Sequence, residues 1–138
     1  MSLKVVDVGL QQLLEYLREK LNAVGNTSIR LYKNNHTPAA ADLLGTYTEA
    51  DFAGYSRVST TWNAATLDTT AHKATMVAPV ATYLCAGGGK TNNVYGYYVV
   101  DASENLLWAE LFTGGPFSMA NFGDIIAFQP VLTQISQF

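Results

Sequence analysis

The stretch Asn93 to Phe112, NVYGYYVVDASENLLWAELF, constrains the fold most. Val94, Tyr95, Tyr97, Tyr98, Val99 and Val100 form a β-branched and aromatic run. Asp101-Ala102-Ser103-Glu104-Asn105 is a polar break, and Leu106 to Phe112 is apolar again. Such runs, bounded by Asp, Asn and Ser clusters, mark two strands joined by a turn. Alternation along the second strand sends Leu107, Ala109 and Leu111 to the core, with Trp108 and Glu110 on the opposite side.

The rest of the chain repeats this grammar after one exception. Leu10, Leu13, Leu14, Leu17, Leu21 and Val24 recur at helical spacing, with Gln11, Gln12, Glu15, Arg18, Glu19 and Asn22 on the other face. The spacing predicts a helix over about 7–24, capped by Asp7 and stopped by Gly25. It either covers a sheet or docks a partner. Strands are predicted at Thr27–Lys33, with Ile29 and Leu31 facing away from Arg30, and at Tyr55–Trp62, where Val58, Thr60 and Trp62 alternate with Arg57, Ser59 and Thr61. Ala71–Cys85 holds one or two strands interrupted at Pro79, which implies an edge or a bulge. Phe117–Ala120, Ile125–Gln129 and Val131–Phe138 complete the set. Between them, Ala39–Gly54 is an irregular connection anchored by Phe52 and Tyr55, with one helical turn starting at Thr48-Glu49-Ala50-Asp51. Asn63–Thr70 is a loop. About eight short strands with Gly, Pro and Asn turns imply an antiparallel β-sandwich, jelly-roll-like, with one N-terminal amphipathic helix. With no repeat, linker or low-complexity tract, 1–138 is expected to be a single domain.

Composition narrows the function classes. Hydrophobic residues make up 49% and charged residues 14%, which excludes an intrinsically disordered chain and suits burial in an assembly. Net charge is −3 and the eight Lys and Arg are scattered, so no footprint for nucleic acid or an anionic membrane is present. No run spans a bilayer, and the N-terminus does not read as a signal peptide. Cys85 is the only cysteine. A reducing cytoplasm is the expected place of folding.

Each chemical motif has a bland competitor that wins. Ala86-Gly87-Gly88-Gly89-Lys90-Thr91 resembles a P-loop, but Leu84 stands where the first Gly is needed and a strand, not a helix, follows Thr91. His36 and His72 have no second ligand at metal spacing. Cys85 would need a nearby base such as His72 to act as a nucleophile, and reads better as a small buried hydrophobe. Glu49/Asp51 and Asp101/Glu104 are the nearest carboxylate pairs, and sit where such residues cap turns. Trp62, Trp108, Tyr95, Tyr97 and Tyr98 would suit a sugar-binding platform if exposed, or core and contacts if not. No catalytic, cofactor or metal residue is assigned.

Several pieces then fall into a familiar order. They are Gly9-Leu10 near the helix start, Leu31-Tyr32-Lys33-Asn34-Asn35 with Thr37-Pro38, and Leu44-Gly45-Thr46-Tyr47-Thr48-Glu49-Ala50-Asp51-Phe52-Ala53-Gly54-Tyr55. After these come Tyr95-Gly96-Tyr97-Tyr98-Val99-Val100-Asp101, Leu106-Leu107-Trp108-Ala109-Glu110 and Gly123-Asp124. Over nearly the whole chain this order resembles a family of small bacteriophage structural proteins encoded among head and tail morphogenesis genes. The chain departs from the family's Gly before the second hairpin strand, where Glu104 and Asn105 stand; Asn tolerates a left-handed backbone. The resemblance implies a non-enzymatic virion subunit: head-decoration, head-fibre or tail-associated, homo-oligomeric, and bound to other capsid or tail proteins. The alternative is a carbohydrate-binding module or receptor-binding tip, with a glycan as partner.

Overall fold

The computed structural model describes residues 5–23 and 25–135. Val24 of the predicted helix face and the 136–138 end of the last predicted strand lie outside them. The fold class is the expected one: mainly β, antiparallel and sandwich-like, with one N-terminal helix. In chain order the elements are α1 (Asp7–Ala23), β1 (Thr27–Tyr32), a short 3-10 turn (Leu44–Thr46), β2 (Val58–Thr60), β3 (Thr66–Asp68), β4 (Lys73–Val77) and β5 (Ala81–Leu84). They continue with β6 (Asn92–Val94), β7 (Gly96–Val100), β8 (Leu106–Leu111), β9 (Phe117–Met119), β10 (Ile125–Phe128) and β11 (Val131–Ile135). Contacts divide the chain into two compact units, one of Met1–Asn26, Thr60–Val80 and Gln129–Phe138, the other of Thr27–Ser59 and Ala81–Phe128.

In the first unit, α1 packs on a three-stranded antiparallel sheet of order β11-β4-β3. Leu10, Leu14 and Leu21 are buried, a narrower stripe than the sequence predicts. Leu13, predicted to face the core, is 53% exposed. Its position is about 100° around the helix from Leu14, off the surface that meets the sheet. The predicted polar face is also partly used. Gln11 Nε2 donates to the Ala65 carbonyl at 3.2 Å, and the Ala65 N–H donates to Glu15. Asn22 exchanges two bonds with the Trp62 backbone, at 3.1 and 3.0 Å. Leu10 N–H donates to the Val6 carbonyl, so Asp7 lies inside the first turn rather than capping it. Segment 63–70, predicted as loop, contains β3, which pairs with β4 from Thr66 opposite Thr75. Pro79 lies outside any strand, between β4 and β5, and Pro130 similarly separates β10 from β11. Ala78 N–H donates to the Pro130 carbonyl there.

The second unit contains the four-stranded sheet β2-β1-β7-β8, with the unit boundary at the last residue of β2, and two strand pairs, β10-β5 and β6-β9. The predicted first hairpin strand is therefore two strands: 92–94 pairs with β9, and the chain restarts at Gly96. Every residue of β7 is buried, as suits a central strand covered on both faces. The β1–β7 register sets Arg30 and Tyr32 beside Tyr98 and Gly96 on one face, and Ile29 and Leu31 beside Val99 and Tyr97 on the other. On that second face Tyr83 donates its hydroxyl to the Ile29 carbonyl at 2.6 Å, and Tyr97 packs 4.5 Å from Phe128.

The hairpin register is half as predicted. Trp108 pairs with Val99 and Glu110 with Tyr97, and the Tyr97 hydroxyl donates to Glu110 at 2.8 Å, so both stand opposite Ala109. A bulge then intervenes: Val100 pairs with Leu106, leaving Leu107 as the extra residue. Leu106 and Ala109, rather than Leu107, pack on the core cluster of Tyr32, Tyr47, Tyr98 and Val100, and Leu111 is 40% exposed. The turn explains the bulge. Asp101 Oδ1 accepts from the Ser103 and Asn105 N–H groups, and its Oδ2 from the Asn105 amide. Glu104, not Asn105, takes the left-handed conformation at φ 63°.

Thr48–Asp51, predicted as a helical turn, is extended, with Glu49 bridging Tyr32 in antiparallel fashion. Phe52 is buried and its ring lies 5.3 Å from Tyr55, as an anchor should.

Candidate functional site

The most organised polar site grows from the break after β1. Asn34-Asn35-His36-Thr37-Pro38 cannot continue a strand, because Pro has no N–H to donate and Asn favours turns. Asn34 then clamps the loop it opens: its amide donates to the Thr46 carbonyl at 3.0 Å, and its Oδ1 accepts from Thr48 N–H at 2.8 Å. Inside the clamp, three groups converge on one oxygen. Asp42 Oδ2 lies 2.7 Å from His36 Nε2, 2.8 Å from Ala39 N–H and 2.6 Å from the Tyr47 hydroxyl. None of the three uses Oδ1. Tyr47 stacks on Tyr98 at 5.2 Å and meets Tyr32 edge-on at 5.0 Å, which seats the loop on the sheet.

Between this loop and β8 lies a cleft of about 370 Å³, lined by Pro38, Ala39, Ala40, Asp42 and Tyr47 on one side and Leu106–Ala109 on the other. Its lining mixes polar and apolar surface, with Asp42 and Tyr47 the polar side chains on the loop side. The Asp42 side chain is only 10% exposed. The Tyr47, Ala39 and His36 contacts hold its carboxyl at about 2, from an ordinary value of 3.8. Burial and the Asp42 bond push the Tyr47 phenol above the usual tyrosine range.

The sign of the pH dependence follows. A depressed carboxyl contributes its stabilisation fully above its unfolded value and loses it as pH falls through the folded one. The loop contacts at Asp42 are therefore expected to be intact above pH 4 and to loosen as pH falls toward about 2. Near-ultraviolet circular dichroism of the Tyr32/Tyr47/Tyr98 cluster between pH 5 and pH 2 reads this. A signal flat over that range contradicts it.

The other candidate residues are engaged in structural contacts. Asp51 accepts from Lys33 at 2.7 Å, Lys90 at 2.8 Å and Asn92 at 3.0 Å, which hold its carboxyl below the usual range. Burial pushes Glu49 up, but a two-pronged bond from Arg57 and another from the Tyr55 hydroxyl outweigh it and lower it. Glu104 accepts from Arg30 Nη2 with both oxygens, at 2.8 and 2.9 Å, and Asp101 ties the hairpin turn. This also shows why Arg30, on the same face of β1 as Tyr32, can be 4% exposed: its charge is matched. His36 belongs to the Asp42 site, and His72 Nδ1 meets the Asp7 carboxylate at 3.0 Å. Cys85 is buried, with its N–H on the Asp124 carbonyl. Gly87 and Gly88 take positive φ, and a side chain at Gly87 would strike the Phe122 backbone. That stretch is thus a packed turn leading to β6. Among the described residues, no group of three or more His, Cys, Asp or Glu is arranged to hold a metal. Trp62, Tyr97 and Tyr98 are buried, and Tyr95 and Trp108 half-buried.

No motif marks the Asp42 site. Its residues meet only through the Asn34 clamp, and the spaced Asn34, Asp42 and Thr48 were the only polar hints of loop closure. No helix among the described residues is long and apolar enough to cross a membrane. Searches for similar proteins return no matching family model, no matching curated protein and no matching solved structure.

Proposed function

We propose that the chain is a non-enzymatic structural subunit of a bacteriophage virion, head-decorating, head-fibre or tail-associated, that works as a homo-oligomer through protein–protein contacts. The phage part of this reading rests on the order of sequence motifs. The assembly part rests on one observation, the open apolar side of α1. Val6 is 61%, Leu13 53% and Tyr16 63% exposed, with Gly9 between them, on a flank roughly 100° around the helix from Leu10, Leu14 and Leu21. A contiguous apolar stripe of this kind marks a contact surface more often than a solvated one. That the candidate acids and bases are tied into turns and ion pairs also suits a building block.

The test is mass in solution. Light scattering is expected to give a multiple of 15.0 kDa, and Leu13→Glu with Tyr16→Glu to return it to the monomer. A wild type that stays monomeric at high concentration sinks the assembly reading. Peptides of the chain in purified phage particles test the virion reading separately. The carbohydrate-binding alternative drew on exposed rings; with Trp62, Tyr97 and Tyr98 buried, only half-buried Tyr95 and Trp108 remain to it.

A further inference from the structure

The residues that line the Asp42 cleft all belong to the second unit, and their side-chain donors and acceptors are unevenly matched. On the loop wall the Tyr47 hydroxyl already donates to Asp42 Oδ2 at 2.6 Å. The Ala39 N–H donates to the same oxygen at 2.8 Å, and His36 Nε2 lies 2.7 Å from it. Pro38, Ala39 and Ala40 have no polar side-chain atom. On the β8 wall, Leu106, Leu107 and Ala109 have none either, and the Trp108 indole N–H is buried.

The lining side chains therefore offer the cleft a charged acceptor and no donor. The three internal contacts of Asp42 all fall on Oδ2, which leaves Oδ1 for a ligand. The side chain is only 10% exposed, and the carboxyl is ionised throughout the physiological range. Its complement is a cation that brings its own N–H groups, because charge-assisted N–H···O bonds are the strong ones. An inorganic cation suits the site poorly. Mg²⁺ and Ca²⁺ gather about six or more oxygen ligands, and among the described residues no group of three or more His, Cys, Asp or Glu is arranged to supply them. The volume of about 370 Å³ lies at the small end of the range for small-molecule sites. Leu106, Leu107 and Ala109 give an alkyl body apolar surface to cover.

We propose that the cleft binds a small primary amine in its ammonium form, which sets its N–H groups on Asp42 Oδ1 and lays a short alkyl body against Leu106, Leu107 and Ala109. The cleft is separate from the α1 face, so this inference does not rest on the subunit role.

The experiment is an NMR titration of the full chain with n-butylammonium chloride at constant ionic strength. Saturable shifts at residues 38–47 and 106–109 are expected, with a midpoint in the millimolar range, as suits so small a ligand. 1-Butanol keeps the alkyl body without the charge, and tetramethylammonium keeps the charge without an N–H. Each is expected to bind about tenfold more weakly or worse. Asp42→Asn should erase the preference for the amine over the alcohol. Should that variant fail to fold, Ala40→Lys sets a positive charge at an exposed position of the lining and is expected to weaken amine binding about tenfold. No saturable shift at about 100 mM amine overturns the proposal. So does equal binding of either comparison compound, a preference that survives Asp42→Asn, or an affinity that Ala40→Lys leaves unchanged. N-acetyl-lysine methylamide binding about tenfold more tightly than n-butylammonium overturns it as well, by assigning the site to a lysine of another protein.

Discussion

Gly96→Ala is expected to destabilise the protein by about 3 kcal/mol or more, or to prevent folding. Gly96 starts β7 at the point where Tyr32 and Leu111 flank it on either side. A Cβ there would fall inside the van der Waals sphere of the Glu110 carbonyl oxygen, and 2.7 Å from both Cε1 and the hydroxyl of Tyr32. The first neighbour is backbone of a paired strand and cannot swing away. The second is a fully buried ring whose hydroxyl donates to the His36 carbonyl at 3.1 Å. The methyl must therefore either spread the β7–β8 ladder or expel Tyr32 from its cluster. Urea denaturation with the wild type alongside reads the loss. Gly45→Ala is the control, because nothing lies within 4 Å of a Cβ at Gly45. Gly96→Ala matching the wild-type midpoint would mean that the β7–β8 approach is looser than described.

Tyr98→Ala is the second large effect, at about 4 kcal/mol. Tyr98 is 2% exposed, stacks on Tyr47 at 5.2 Å and approaches Tyr32 at 6.5 Å. Burial pushes its phenol up to about 12. Truncation removes a ring from the centre of a cluster whose other members come from β1, the 36–47 loop, β7 with its flanking Tyr95, and β8, so no single neighbour can move in to fill the void. The same change also unseats the loop that carries Asp42. Tyr98→Phe keeps the ring and should lose no more than about 1.5 kcal/mol. Tyr16→Ala, on an exposed ring, should stay within about 0.5 kcal/mol in the monomer. Denaturation midpoints order the three, and a Tyr98→Ala loss as small as that of Tyr16→Ala would refute the central role of the cluster.

What could be read in the chain depended on how local its cause was. The β7–β8 hairpin was legible because its β-branched and aromatic runs and the Asp101 turn all lie within one short stretch. Its register was only half legible. The bulge at Leu107 follows from the left-handed Glu104 that Asp101 and Arg30 hold, and Arg30 is 74 residues away. Likewise Leu10, Leu13, Leu14 and Leu17 offer several overlapping apolar stripes, and only the sheet beneath α1 selects the one that is buried. The bonds from Gln11, Glu15 and Asn22 go to backbone groups of 62–65, which carry no side-chain signature at all. The Asp42 cleft was illegible for the same reason: His36, Asp42, Tyr47 and Leu106–Ala109 become neighbours only after the sheet has formed.

The division of the chain carries a consequence for how the molecule is made. The sequence passes from one unit to the other at 26/27, 59/60, 80/81 and 128/129. On a ribosome, β8 emerges in time to complete the four-stranded sheet while α1 still lacks β11, one of the three strands on which it rests. The helix thus waits for a strand that lies more than a hundred residues after it. Until Val131–Ile135 has left the exit tunnel, the buried face of the helix has an unfinished seat, and a nascent chain stalled before that point is the form most in need of a chaperone.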